Sequence, residues 1–180
     1  MKHHVLFALA LSSLAGGAQA QRPAAAPAAA PDAAVRTMRE LWQNVTNYLN
    51  QAAADVPESL YSYRPTTTVR TFGEQIAHVA GAQYMFCAAV LGDPPRDEAE
   101  IEKSKTTKAE LVAAMRASTD YCGRAYALSD AAAQQGMQLF GSERTKLYAL
   151  GQNALHNGEH YGNIVTYMRT NGLVPPSSRR

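Results

Sequence analysis

The chain has 180 residues, with 17 Lys and Arg against 15 Asp and Glu, a formal charge of +2 with histidines neutral, and two cysteines. So even a balance argues against a nucleic-acid binder, which normally presents a basic face. The length is that of one domain able to bury a core without staples.

Residues 1–20 read as a secretory signal: Lys2 gives the positive start, Val5 to Leu14 the apolar core, and Ala18-Gln19-Ala20 an A-x-A cleavage site. The apolar run is shorter than the roughly 20 residues of a spanning helix, and no cysteine follows it for lipid attachment. The expected location is periplasmic or secreted, without membrane contact after signal cleavage. Residues 21–33 form an Ala/Pro-rich linker, where proline prevents a continuous helix and nothing has a face to bury. The folded domain is expected over residues 34–176. A tail, residues 177–180, carries Arg179 and Arg180 into solvent.

Asp32 is placed to cap a first helix reaching about Ala54, with Val35, Met38, Leu41, Trp42, Val45 and Leu49 at spacings of three and four. Val56-Pro57 ends it, and a loop containing Tyr61, Tyr63 and Pro65 leads to Arg70. Thr71 and Glu74 have the spacing of a capping box. They open a second helix through Ile76, Val79, Ala80, Met85 and Val90 to Gly92, stopped by Asp93-Pro94-Pro95. Thr107 and Glu110 form a second box, opening a third helix through Leu111, Met115, Tyr121 and Leu128. The stretch from Ala131 to Gly141 reads as an irregular crossing. Ser142 or Thr145 begins the fourth helix, through Leu147, Leu150, Ala154, Ile164, Val165 and Met168, and Asn171-Gly172 provides a left-handed cap before Pro175-Pro176. Strand signals are nearly absent: there is no Asn-Gly hairpin and no alternating β-branched run. The predicted class is all-α, a four-helix up-and-down bundle with one long connection between helices three and four.

Cys87 and Cys122 fall in the second and third helices. They read either as a disulfide between those helices or as two buried thiols, and sequence leaves both open, because the Cα separation decides.

The chain has five histidines, and signal cleavage removes His3 and His4. His156 and His160 stand four apart on the fourth helix, so they share a face with Cβ atoms about 5–6 Å apart. His78, on the second helix, can supply a third nitrogen from across the bundle. Three imidazoles suit a divalent ion, zinc, nickel, copper or iron alike, and leave a position open for water or substrate. Asn153 and Asn163 flank the pair on the same side, giving a polar stripe that a metal, with these amides hydrogen-bonded around its ligands, would satisfy at once. Glu74 is the nearest carboxylate, with its capping role in competition, and Tyr167 shares the face of His160. The competing reading is a hydrogen-bonded or surface histidine pair. A second competitor is the inverted zincin pattern H-x-x-E-H, matched by His156 to His160 with Glu159 as base. That pattern takes an acidic third ligand downstream, and no Asp or Glu follows His160. The P-loop, G-x-S-x-G and G-x-G-x-x-G motifs are absent from the sequence, so it assigns no catalytic nucleophile and no residues binding an organic cofactor.

The run from Val69 to His78 (VRTFGEQIAH), the later run from Leu155 to Arg169 (LHNGEHYGNIVTYMR) and the closing GLVPP from Gly172 to Pro176 resemble the DinB-like (YfiT-like) metal-binding proteins. The likeness spans about residues 35–176. It implies a four-helix bundle holding zinc, nickel or a similar divalent ion on His78, His156 and His160. It also implies homodimers and metal-dependent chemistry on small molecules, thiol-dependent transfer or isomerisation among the characterised members. Tyr161 and Asn163 stand where the family often carries Arg and Gln. The functional expectation is an exported metal-dependent transferase or hydrolase with a small-molecule substrate; the alternative is a non-catalytic periplasmic metal-binding module.

Overall fold

The computed structural model describes residues 32–179, so the expected signal sequence and nearly all of the linker lie outside the described residues. In chain order the described residues form α1 (Ala33–Asp55), α2 (Phe72–Leu91), α3 (Glu100–Ser104), α4 (Lys108–Ala125), α5 (Asp130–Ala133), β1 (Gly136–Leu139), β2 (Ser142–Thr145) and α6 (Lys146–Thr170), with 3-10 turns at Glu58–Leu60 and Pro176–Ser178. The four long helices make the bundle. Helix α2 packs on α4 and α6, and α1 packs on the same two. The order around the bundle is therefore α1–α4–α2–α6, with α1 and α2 across a diagonal.

Helix α2 is buried on nearly every side, from Gln75 through Gln83 without a break. A helix apolar all round is one that is enclosed, and α3 with the loop before it closes the side that α4 and α6 leave open. Small residues at Ala77, Ala80, Gly81 and Ala82 let the neighbours approach closely.

Both capping boxes form as the spacing predicts, Thr71 with Glu74 and Thr107 with Glu110. Thr145, rather than Ser142, caps α6, accepting from the Tyr148 N–H. Gly172 takes a positive φ of 72° beyond α6, and the Leu173 N–H returns to the Met168 carbonyl, the left-handed ending expected there. Asp32 departs from expectation. Its backbone is left-handed and its side chain does not cap α1. Asp130 of α5 does so instead, accepting from the N–H groups of Ala34 and Val35 at 3.1 and 2.8 Å, while Asp32 Oδ1 accepts from the Asp130 N–H. The cap comes from 95–96 residues away, where local spacing cannot show it.

The connection between α4 and α6 is the long one foreseen, but it holds a strand pair. β1 and β2 are antiparallel, with Leu139 opposite Ser142. The turn residues Phe140 and Gly141 both have positive φ, 49° and 75°, as a two-residue hairpin turn requires. The turn uses Phe-Gly in place of Asn-Gly, so its sequence signal is weak.

Two apolar clusters fill the bundle. One gathers Leu49, Phe72, Ile76, Met115, Ile164 and Met168. The other surrounds Trp42, which stacks on Tyr126 with centroids 4.3 Å apart. Cys87 and Cys122 form a disulfide between α2 and α4, with Cα atoms 5.3 Å apart, which settles the alternative left open by sequence. A buried polar layer includes Gln83, which accepts from the Trp42 indole N–H and donates to Ser118. The carboxy-terminal turn is docked rather than frayed: the Ser177 N–H donates to the Tyr161 hydroxyl, and Arg179 pairs with Asp55. Among the described residues no helix is long and apolar enough to cross a membrane.

Candidate metal centre

His78 sits in the second turn of α2, and His156 and His160 stand one turn apart on α6. The packing of these helices brings all three together. One nitrogen from each ring falls within a set spanning at most 4.8 Å, and the ring centroids are 4.4 to 5.0 Å apart. His78 Nε2 and His156 Nε2 are 3.2 Å apart.

The surroundings keep these rings neutral. Burial, then the positive charges of Arg70 and the other two histidines, depresses His78 to about 3. Burial first and His160 next bring His156 to about 4, and burial followed by Arg70 brings His160 to about 4. At neutral pH each ring therefore carries a lone pair.

Which nitrogen carries it follows from the partners. His160 Nδ1 lies 2.7 Å from Gln75 Oε1. An amide oxygen can only accept, so Nδ1 bears the proton and Nε2 the lone pair. His78 Nδ1 faces Glu102 Oε2 at 4.0 Å, and Glu102 Oε1 is held by Arg70 at 3.1 Å. Glu98 Oε1 stands closer, 3.3 Å from His78 Nε2, so the two carboxylates leave either neutral tautomer of this ring open. His78 Nε2 and His156 Nε2, 3.2 Å apart, can share one proton as a hydrogen bond; with both lone pairs free they would face a single cation between them. Among the described residues His156 Nδ1 is buried without a hydrogen-bond partner, so this ring is left partly unsatisfied. The donor set therefore fits a divalent ion such as zinc, which binds three imidazoles readily.

The amide stripe expected on α6 does not form. Asn163 is exposed. Asn153 is buried, but its amide donates to the Tyr126 hydroxyl at 3.2 Å and lies 3.7 and 3.8 Å from the two cystine sulfurs. It belongs to the disulfide layer. The buried amide nearer the site is Asn157, next to His156, whose Nδ2 approaches Gln83 Oε1 at 3.4 Å. The amide that orients a histidine is Gln75, one turn before His78 on the opposite helix. Glu74 is committed to its capping box. Tyr167 is structural, its hydroxyl donating to the Arg70 carbonyl and its ring packing edge-on against Tyr63.

The carboxylates that do reach the histidines are Glu98 and Glu102, from the loop after α2 and from α3. Glu98 Oε1 is 3.3 Å from His78 Nε2 and 3.8 Å from His156 Nε2, and burial raises its carboxyl above the ordinary range. The sequence gives one weak signal for them, the acidic run in the segment after Pro95. An open cleft of about 220 Å³ borders the centre, lined by Glu98, His156, Phe86, Phe140, Leu155 and Glu159 among others. Phe86 and Phe140 meet edge-on across it. A larger depression of about 410 Å³, near Tyr61, Glu74 and Lys105, is lined by none of the three histidines. The smaller cleft is therefore the one that leads to the donors.

Residues 41–164 match the DinB superfamily. No curated protein matches the chain. Among solved structures it is similar to a DinB-like protein from Bacillus cereus ATCC 10987 (TM-score 0.69, 17% identity, covering 78% of this chain and 95% of that one). It is also similar to the DinB-like protein YjoA of Bacillus subtilis (TM-score 0.64, 20% identity, 80% and 99%). A third similar structure is YfiT of Bacillus subtilis, described as a probable metal-dependent hydrolase with an unusual four-helix bundle topology (TM-score 0.61, 20% identity, 77% and 88%). At these identities the structures speak for the fold, while the superfamily match covers well over half of the sequence. The chain belongs to the DinB superfamily.

Proposed function

We propose that the protein is an exported metalloenzyme that holds a divalent ion, zinc or nickel, on His78, His156 and His160. Its activity is that of a hydrolase or transferase acting on a small molecule. The observation that carries this reading is the convergence of three neutral imidazoles beside an open cleft. A bound ion would supply Lewis acidity, polarising a substrate atom or a water at its open position. The chain's own residues do the rest. Gln75 holds the His160 ring in its metal-binding tautomer. Phe86 and Phe140 give the open cleft an apolar wall, and Glu98 and Glu159 bring carboxylates to its rim.

The cleft favours an enzyme over a non-catalytic periplasmic module that only carries metal, because a carrier has no need of an opening at its donors. Export rests on the features of residues 1–20, and homodimerisation on the family resemblance. Metal content per chain tests the central point: His156→Ala should lose the stoichiometric ion that the wild type carries. Retention of a full equivalent in that variant would rule the site out. Amino-terminal sequencing of periplasmic protein should begin at Gln21, and recovery of intact Met1 in the cytosol would refute export.

A further inference from the structure

Gly81 lies one turn after His78 in α2, and the backbone of Glu98 rests directly on it. A Cβ at that position would overlap the Glu98 carbonyl oxygen and come within 2.9 Å of its carbonyl carbon. Glycine inside a helix costs about 1 kcal/mol relative to alanine. Here it admits the loop between α2 and α3. That loop is pinned on both sides of Glu98. Asp93 accepts from the Tyr121 hydroxyl and from Arg124, Arg96 lies over the Tyr84 ring, and Asp97 accepts from the Ala99 N–H and from Lys103.

The result is a half-buried carboxylate aimed at the histidines. Among the described residues no Lys or Arg pairs with Glu98; its basic neighbours are His78 and His156. A carboxylate taken partly out of water needs a positive partner. Donor atoms about 2.0–2.2 Å from one tetrahedral ion stand about 3.3–3.6 Å from each other. Glu98 Oε1 stands 3.3 Å from His78 Nε2, inside this range, while its 3.8 Å to His156 Nε2 and the 3.2 Å between the two Nε2 atoms lie just outside it.

We propose that Glu98 is a fourth, displaceable ligand of the metal, delivered to the centre by the docking of its loop on Gly81. This rests on the three-histidine reading. The carboxylate flanks the His78–His156 edge and is not among the three nitrogens that lie within 4.8 Å of one another; it is carried by a loop, so a change of its rotamer moves no helix. It also lines the cleft. An anionic donor atom of a substrate arriving through the cleft would take its place, which keeps the resting site closed and the loaded site reactive.

Titration of the purified protein with Co(II), read by visible absorption, tests the proposal. The wild type should take up one equivalent with the intense bands of a four-coordinate ion. Glu98→Gln and Glu98→Ala should bind about 10–100-fold more weakly, with the bands diminished as waters replace the carboxylate. Gly81→Ala should show the same change, because its methyl group displaces the loop. Circular dichroism establishes that each variant is folded, and Glu98→Gln, a nearly isosteric change on a loop, keeps the test decisive where Gly81→Ala fails to fold. Unchanged affinity and bands in Glu98→Gln and Glu98→Ala would overturn the role of Glu98 and leave the three histidines standing. Failure of the wild type to bind Co(II), or full binding by His156→Ala, would overturn the three-histidine reading and this inference with it.

Discussion

Acid should destabilise the metal-free protein before its carboxylates titrate. In an unfolded chain each imidazole takes up a proton near pH 6.5. In the fold His78 is held at about 3, and His156 and His160 at about 4. Between those values the unfolded state binds more protons, so stability is complete above about pH 6.5 and is lost as the pH falls toward 4. At pH 5 the loss is about 2 kcal/mol per imidazole, or roughly 4–6 kcal/mol for three, the lower figure allowing for partial exposure. That is a large share of the 5–15 kcal/mol that holds a typical domain. Glu98, raised by burial, acts in the opposite sense, and one carboxyl is a small offset. The assay is urea denaturation of chelator-treated protein at pH 7, 6 and 5. The described residues contain no other histidine, so a loss in this window belongs to the cluster. A free energy at pH 5 within 1 kcal/mol of that at pH 7 would refute the burial of three neutral rings.

Replacing Cys87 and Cys122 together by alanine should cost about 4 kcal/mol in chemical denaturation, since the bridge closes a 35-residue separation; a loss under 1 kcal/mol would show that the bond does not form. Gln75→Ala removes the acceptor of the His160 Nδ1 proton and should weaken metal binding about 10–100-fold in calorimetric titration with helix content unchanged. Unaltered affinity would show that His160 is oriented by something else. Asp130→Ala strips two N–H groups at the start of α1 of their acceptor and should lower stability by about 1–2 kcal/mol in thermal melts, whereas Asp32→Ala should cost less.

What was legible in the sequence is what local spacing encodes. The capping boxes at Thr71 and Thr107 and the apolar periodicity of α1 located three helix starts. The four-residue step from His156 to His160, with His78 the one remaining histidine of the described chain, named the donors. What escaped depends on contacts distant in sequence. Asp130 caps a helix 96 residues upstream. Gln75 orients a histidine on another helix, while Asn163, on the expected stripe, points to solvent because α6 turns its buried side toward Asn153 and Asn157. Glu98 sits in a short polar loop whose path is dictated by the missing side chain of Gly81. Such a loop reads as solvated until its docking is seen.

X-ray absorption at the metal edge of protein loaded with one equivalent of zinc tests the central claim most directly. A first shell of nitrogen and oxygen at about 2.0–2.1 Å, with outer scattering from three imidazole rings, is the predicted result. A sulfur shell near 2.3 Å, or ring scattering from fewer than three imidazoles, would contradict it.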